Sequence, residues 1–337
     1  MKRKQQFIFV CGDGVNNFQM LDDLKNEKDV DVFVEKKEKP GILNLLSKIH
    51  YSRKINRLVH LPFHFSCSKF WRYFKKKYNK KDTDYFIVIF NGAYRDFEEC
   101  VWNGMNKRKN VHLFLVLIDS LGVKTKTAGI IKRMMEKVKW EKIFSYDKSD
   151  AIKYGLDYLD EMYYSDKRKD QDEDVKYDTY FIGRLKPGRQ KQINVLFEFL
   201  KGKGLKNDFE IWLPSEDSKH YDKNALIQGV NYFKKSKTYD EVLREVQRAN
   251  CIIELMQVGQ QAPSLRYFEA VVFNKKLLTN NKNVINLNYY DPKYIKIFEK
   301  PEDIDVEWLK KRDKVDYDYR GEFSPRYLVD KIRKMYE

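Results

Sequence analysis

Unbroken apolar runs alternate with amphipathic stretches along this 337-residue chain. Phe7 to Val10, Val30 to Val34, Tyr85 to Phe90 and His112 to Ile118 carry few or no charges, as parallel strands buried on both faces do. Between them, Asn16 to Lys25 and Ala128 to Lys139 read as helices, and Ile143 to Ser145 with Leu156 to Leu159 close a first sheet. The rhythm then repeats. It predicts strands over 177–183, 209–213 and 295–298, helices over 190–200 and 239–248, and a terminal helix over 324–336 that opens with Ser324 and Pro325. Strands alternating with helices imply an α/β architecture with parallel sheets. The dense charges of Asp160 to Lys176 separate the two halves as a linker. The expected plan is a first domain over 1–160, a linker over 161–176, a second domain over 177–323 and the terminal helix over 324–337.

The segment from Cys251 to Asn280 is the most informative. It reads as a buried strand, a polar loop, a helix and a second buried strand. Pro263 suits a first helical turn, Leu265, Phe268, Val271 and Val272 recur at helical spacing, and Asn274 can stop the helix. A helix N-terminus at the carboxyl end of a strand is a ready anion site, because free backbone N–H groups point out of it. Gln260, Gln261, Ser264, Arg266 and Glu269 surround that N-terminus. Arg266 and Glu269, three apart, are expected on a face away from the apolar stripe, where a surface ion pair is the plain structural reading. An ordinary β-α-β unit is the plain reading of the whole segment.

This segment resembles the nucleotide-sugar-binding segment of GT-B glycosyltransferases, whose two Rossmann-like domains with parallel sheets face a cleft. Many retaining members place two glutamates here with seven residues between them, and the second holds the nucleotide ribose. Glu269 matches the second; the first falls on Gln261. The Gln-rich loop and the Arg-x-x-Glu-Ala helix resemble more closely the bacterial proteins of lipopolysaccharide and capsular polysaccharide synthesis and the CgeB-like glycosyltransferases. Thr179 to Arg189 looks like the first strand and loop of a GT-B donor domain, commonly Gly-Arg-Leu followed by a basic residue. The resemblance therefore implies donor contacts at Gly183, Arg184, Arg189, Gln260, Gln261, Ser264, Leu265, Arg266 and Glu269, with Lys191 as a substitute cation. Fixed cations there would neutralise a leaving nucleoside diphosphate. Lys142 to Gly155 resembles the end of the first domain in the same group, although Ser145 and Asp147 read as helix-capping residues.

Gly12-Asp13-Gly14 follows the first strand, and Asn17 stands where a dinucleotide fingerprint needs its third glycine. In inverting GT-B enzymes an Asp or His in this region often deprotonates the acceptor. By that resemblance Asp13 is the candidate general base, with Gly12, Gly14 and Asp119 on the acceptor side. A turn-forming role for Asp13 is its plain alternative. Asp-x-Asp recurs, at 29/31, 82/84, 172/174, 303/305 and 316/318 among others, as chance supplies in a chain with 50 acidic residues. No catalytic metal and no cofactor are expected, the nucleoside-diphosphate sugar being the donor substrate.

Charge adds one more feature. The net charge is +16, and Lys39 to Lys81 holds twelve Lys or Arg with no Asp or Glu. Aromatic residues interleave with these charges, in what the pattern makes two helices broken near Pro62. Trp71, Tyr73 and Phe74 followed by Lys75, Lys76 and Lys77 suggest contact with an anionic membrane surface at headgroup level. No DNA or RNA motif accompanies the segment, so nucleic acid is the less favoured partner. A solvated basic face and lysine-rich coding are the plain alternatives. Cys11, Cys67, Cys100 and Cys251 show no metal or disulfide spacing and suggest reduced thiols in a cytoplasmic protein. Phe7 to Cys11 is too short for a signal-peptide core. The reading is a cytoplasmic glycosyltransferase, peripheral at the inner face of the cell membrane, acting on a glycan or lipid-linked glycan. The alternatives are a non-catalytic basic protein binding membrane or nucleic acid, and a nucleotide-sugar epimerase of the same fold.

Overall fold

The computed structural model describes residues 3–12, 20–35, 45, 49–50, 55, 59, 68–78, 80–90, 99–118, 121, 128–159, 174–185, 188–213, 221–235, 237–256 and 262–337. The chain divides into two units, Met1–Ser165 with Phe323–Glu337, and Asp166–Glu322.

The first unit is a parallel sheet in the order β2-β1-β3-β4-β5-β6. Its strands are β1 (Lys4–Gly12), β2 (Val30–Glu35), β3 (Thr83–Phe90), β4 (Val111–Leu117), β5 (Lys142–Ser145) and β6 (Asp157–Tyr158). The apolar runs are buried on both faces because each face has its own core. Ile8 and Val10 of β1 join Phe70, Phe74, Trp102 and Ile131 on one side. These come from α1 (Lys69–Lys77), α2 (Glu99–Met105) and α3 (Ala128–Lys137). Phe7, Phe9 and Cys11 face the other way and meet Leu328, Val329 and Ile332 of the C-terminal helix. Helix α4 (Lys148–Tyr154) starts on Asp147, whose carboxylate accepts from the Ser149 and Asp150 N–H groups, and ends on Gly155 at φ +63°.

One expectation changes here, and another is covered only in part by the described residues. In place of a helix over Asn16 to Lys25, the described part is a 3-10 turn over Asp22–Asn26, and residues 13–19 lie outside the described set. Of the two helices expected around Pro62, α1 is described as a whole, residues 45, 49–50 and 55 before it are helical, and Pro62 lies outside the described residues.

The second unit holds a parallel sheet in the order β12-β11-β10-β7-β8-β9. Its strands are β7 (Tyr177–Arg184), β8 (Asn207–Trp212), β9 (Asn231–Phe233), β10 (Ala249–Glu254), β11 (Lys276–Thr279) and β12 (Ile295–Ile297). Helix α5 (Arg189–Gly202) connects β7 to β8, and α6 (Tyr239–Gln247) leads into β10. Helix α7 (Leu265–Val272) connects β10 to β11, and α8 (Val306–Lys310) follows β12. Asn274 takes the left-handed conformation at φ 50° just past α7, the usual way to stop a helix. Pro263 does not open α7; it precedes the cap, which is Ser264.

Helix α9 (Arg326–Lys334) returns to the first unit. Besides its apolar face, Arg326 pairs with Glu27 at 2.9 Å and Arg333 with Asp29 at 2.6 Å. Ser324 donates its hydroxyl to Asp23 at 2.7 Å while accepting the Arg326 N–H at 3.4 Å.

Candidate functional site

In the second unit, β7 and β10 are parallel neighbours. The chain leaves β7 toward β8 on one side and leaves β10 toward β11 on the other. The carboxyl ends of these two strands therefore flank the point where strand order reverses, the usual ligand position in an open α/β sheet. Arg184 ends β7, Glu254 ends β10, and Ser264 begins α7.

Glu254 is fully buried and binds both neighbouring elements. Its carboxylate accepts the Ser264 N–H at 2.8 Å and the Thr279 hydroxyl at 2.6 Å. Glu254 and Thr279 are register partners across β10 and β11, so the carboxylate ties strand, helix start and next strand together. Burial pushes its pKa up, against the hydrogen bonds and the Arg266 charge that pull it down. A lone carboxylate closing an otherwise apolar strand was the sequence signal for this residue, and the expected donor contacts leave it out.

Arg266 and Glu269 are not on a surface face. Both are buried, and their side chains pair at 2.6 Å inside the unit. The Tyr239 hydroxyl donates to the same Glu269 oxygen at 2.9 Å. The other, Oε2, has no hydrogen-bond partner among the described residues. Burial lifts Glu269 to about 7, opposed by the Arg266 charge and the Tyr239 bond.

Arg189 lies on α5, where its guanidinium donates to the Leu255 carbonyl and sits over the Phe181 ring. Burial lowers its pKa to about 10, with the Glu254 charge holding it up. The half-buried Arg189 and the buried Arg266 thus lie near Glu254 and Glu269, and each opposite charge offsets part of the cost of burial. Gly183 permits the packing: a Cβ there would come 3.3 Å from Arg189 Nη1 and 3.0 Å from Phe181 Cζ.

Arg184 differs from Arg189 because it is exposed, over the ring of Trp212. Ser264 and Leu265 are half-buried at the mouth of the loop. Of the backbone N–H groups at this helix start, that of Ser264 is held by Glu254 and that of Arg266 by the Ser264 hydroxyl. Lys191 is exposed on α5. Gln260 and Gln261 lie outside the described residues, as do Asp13, Gly14 and Asp119 of the first unit. Gly12 is the buried last residue of β1.

In α1 the structure alters the headgroup picture. Phe74 is fully buried in the core and cannot insert into a bilayer, while Trp71 and Tyr73 pack against that core. Lys75 and Lys76 are exposed, and Lys77 pairs with Asp31 at 2.6 Å. Among the described residues no helix is long and apolar enough to cross a membrane, and no group of three or more His, Cys, Asp or Glu residues is placed to hold a metal ion.

No protein-family model and no curated protein match the chain. Solved structures do. An alpha-glucosyltransferase in complex with UDP and a 13-mer DNA containing a HMU base is 10% identical, with a TM-score of 0.55 over 98% of this chain and 100% of that one. An alpha,alpha-trehalose 6-phosphate synthase from Burkholderia multivorans is 8% identical, with a TM-score of 0.55 over 99% and 100%. T4 phage BGT in complex with UDP and Mn2+ is 10% identical, with a TM-score of 0.51 over 91% and 88%. The chain has the GT-B fold. At such identities the likeness is one of fold, and the specific resemblance to polysaccharide-synthesis and CgeB-like proteins stays an expectation.

Proposed function

We propose that the protein is a glycosyltransferase that binds a nucleoside-diphosphate sugar at the strand-order reversal of its second unit. The observation that carries this reading is Arg184, an exposed arginine without a carboxylate partner among the described residues, at the carboxyl end of β7 in a GT-B fold. An anion arriving there meets a fixed cation and the start of α7. Charge developing on the leaving diphosphate would be stabilised without a metal ion. Glu269, with one oxygen unpartnered among the described residues, is the proposed ribose acceptor. The proposed acceptor is a glycan or lipid-linked glycan of a bacterial surface polysaccharide, held by the first unit with Asp13 as general base.

A thermal-shift series with UDP, GDP, CMP and TDP sugars, with and without EDTA, tests the donor part. One nucleotide should raise the melting temperature, and chelation should leave the shift unchanged. No shift with any of them at millimolar concentration would overturn the reading. A shift abolished by EDTA would overturn metal independence alone.

A second reading makes DNA the acceptor. It is favoured by the net charge of +16 and by the DNA-bound alpha-glucosyltransferase of the same fold. Transfer of labelled sugar to duplex DNA, rather than to an isolated glycan, would decide for it.

A further inference from the structure

Trp212 ends β8 in register beside Arg184 at the end of β7. The Arg184 guanidinium carbon lies 4.7 Å from the centroid of the Trp212 ring. The ring is itself anchored, since its indole N–H donates to the Lys234 carbonyl at 3.1 Å. The main chain is tied on both sides, with Leu185 N donating to Trp212 O at 2.9 Å and Leu213 N to Phe233 O at 2.8 Å. Among the described residues, no carboxylate pairs with Arg184 and none of its side-chain N–H groups is spent on a hydrogen bond. A guanidinium resting over an aromatic ring loses rotamer freedom yet keeps its donors for a two-oxygen acceptor. Arg189 cannot serve in this way, because it is half-buried and its guanidinium is committed to the Leu255 carbonyl.

We propose that Trp212 is a positioning residue: its ring holds the Arg184 guanidinium at the carboxyl edge of the sheet, ready for the donor diphosphate. This rests on the donor site proposed above. Trp212 touches no substrate in this role; it acts by restricting where the Arg184 charge can be. A lysine or an unsupported arginine would supply the same charge from a wider range of positions.

The test measures binding of UDP, GDP and inorganic pyrophosphate to Trp212→Leu, Trp212→Phe, Arg184→Ala and the Arg184→Ala/Trp212→Leu double variant. Trp212→Leu should weaken binding about two- to fivefold, the range of an exposed cation–π contact. Trp212→Phe keeps a ring without the indole N–H bond and should recover part of that loss. Trp212→Leu should add nothing once Arg184 is absent, and in turnover it should raise the donor KM with kcat little changed. An equal loss in the Arg184→Ala background would make Trp212 merely structural and overturn the proposal. So would wild-type affinity in Trp212→Leu while Arg184→Ala binds weakly, and that outcome leaves the donor site standing. Wild-type affinity in Arg184→Ala removes the donor site and this role together.

Discussion

Arg266 and Glu269 form an ion pair of 2.6 Å between residues three apart on α7, and the carboxylate partner is completely shielded from water. A pair at this spacing on a helix surface contributes only tenths of a kcal/mol. Buried, the same pair becomes sensitive to pH. Burial raises Glu269 from the ordinary 4.5 to about 7, so the folded state holds its proton more tightly than the unfolded chain. The stability linked to this group is fully present below about 4.5 and is lost as pH rises through about 7. Asp208, lifted to about 6 by burial, acts in the same direction. Urea midpoints of wild type and Glu269→Gln between pH 5 and 8 isolate the Glu269 part. The wild type should lose stability with rising pH more steeply than the variant, and parallel slopes would contradict the assignment.

Arg184→Ala should weaken nucleoside-diphosphate binding about tenfold or more, since a charge-assisted hydrogen bond contributes roughly 1.5–3 kcal/mol. The side chain is exposed, so the variant should melt near the wild-type temperature. Isothermal titration with the nucleotide that gives the largest thermal shift measures the loss. Unchanged affinity would place the diphosphate elsewhere.

The strands were legible because β1, β3 and β4 are apolar at every central position, and only a sheet covered on both faces tolerates that. The site was legible in part, through the loop and helix that follow β10. Burial of Arg266 and Glu269 was not, because it depends on Tyr239 from α6 and on the charges of Arg189 and Glu254 lying nearby. None of these is close in sequence. β9 is three residues long and carries no periodicity to detect. Trp212 looks like a strand end until β7 is placed beside β8.

Lys75, Lys76 and Lys77 offer a test of membrane contact that no longer includes insertion of Phe74. The attraction these lysines supply is electrostatic, about 1 kcal/mol per lysine near an anionic surface and screened beyond about 8 Å at physiological salt. Replacing all three with Gln should abolish co-sedimentation with phosphatidylserine vesicles at low salt while nucleotide binding is retained. Absence of wild-type binding to such vesicles would leave these lysines as a solvated face.

The C-terminal helix should be needed for the first unit. Leu328 and Ile332 are completely buried against β1 and its neighbours. Leu328→Ala should cost about 2–5 kcal/mol, the range for emptying a buried leucine site. Ser324→Ala leaves the Asp23 carboxylate short of one hydrogen bond and should cost about 1–3 kcal/mol. Chemical denaturation of each variant, followed by ligand-induced melting shifts, should show lower stability with the donor response kept. Wild-type stability in Leu328→Ala would mean that α9 is not docked in solution.

Glu254 gives the sharpest contrast between two substitutions. Glu254→Ala strands the Ser264 N–H and the Thr279 hydroxyl, which both donate to it, and opens a cavity at the end of β10. Each stranded buried group costs about 1–3 kcal/mol, so the two together should cost roughly 2–6 kcal/mol. Glu254→Gln keeps an acceptor for Ser264 N–H and turns an amide donor toward Thr279. The Thr279 oxygen already accepts the Asn281 N–H at 2.9 Å, so its hydroxyl must rotate to accept a second donor and lose its own partner. The Gln variant should therefore fall between wild type and Ala in urea midpoint. Because Glu254 fixes Ser264, the residue that caps α7, the Ala variant should also bind the donor nucleotide more weakly. If Gln and Ala are equally destabilised, the carboxylate is not acting through these two hydrogen bonds.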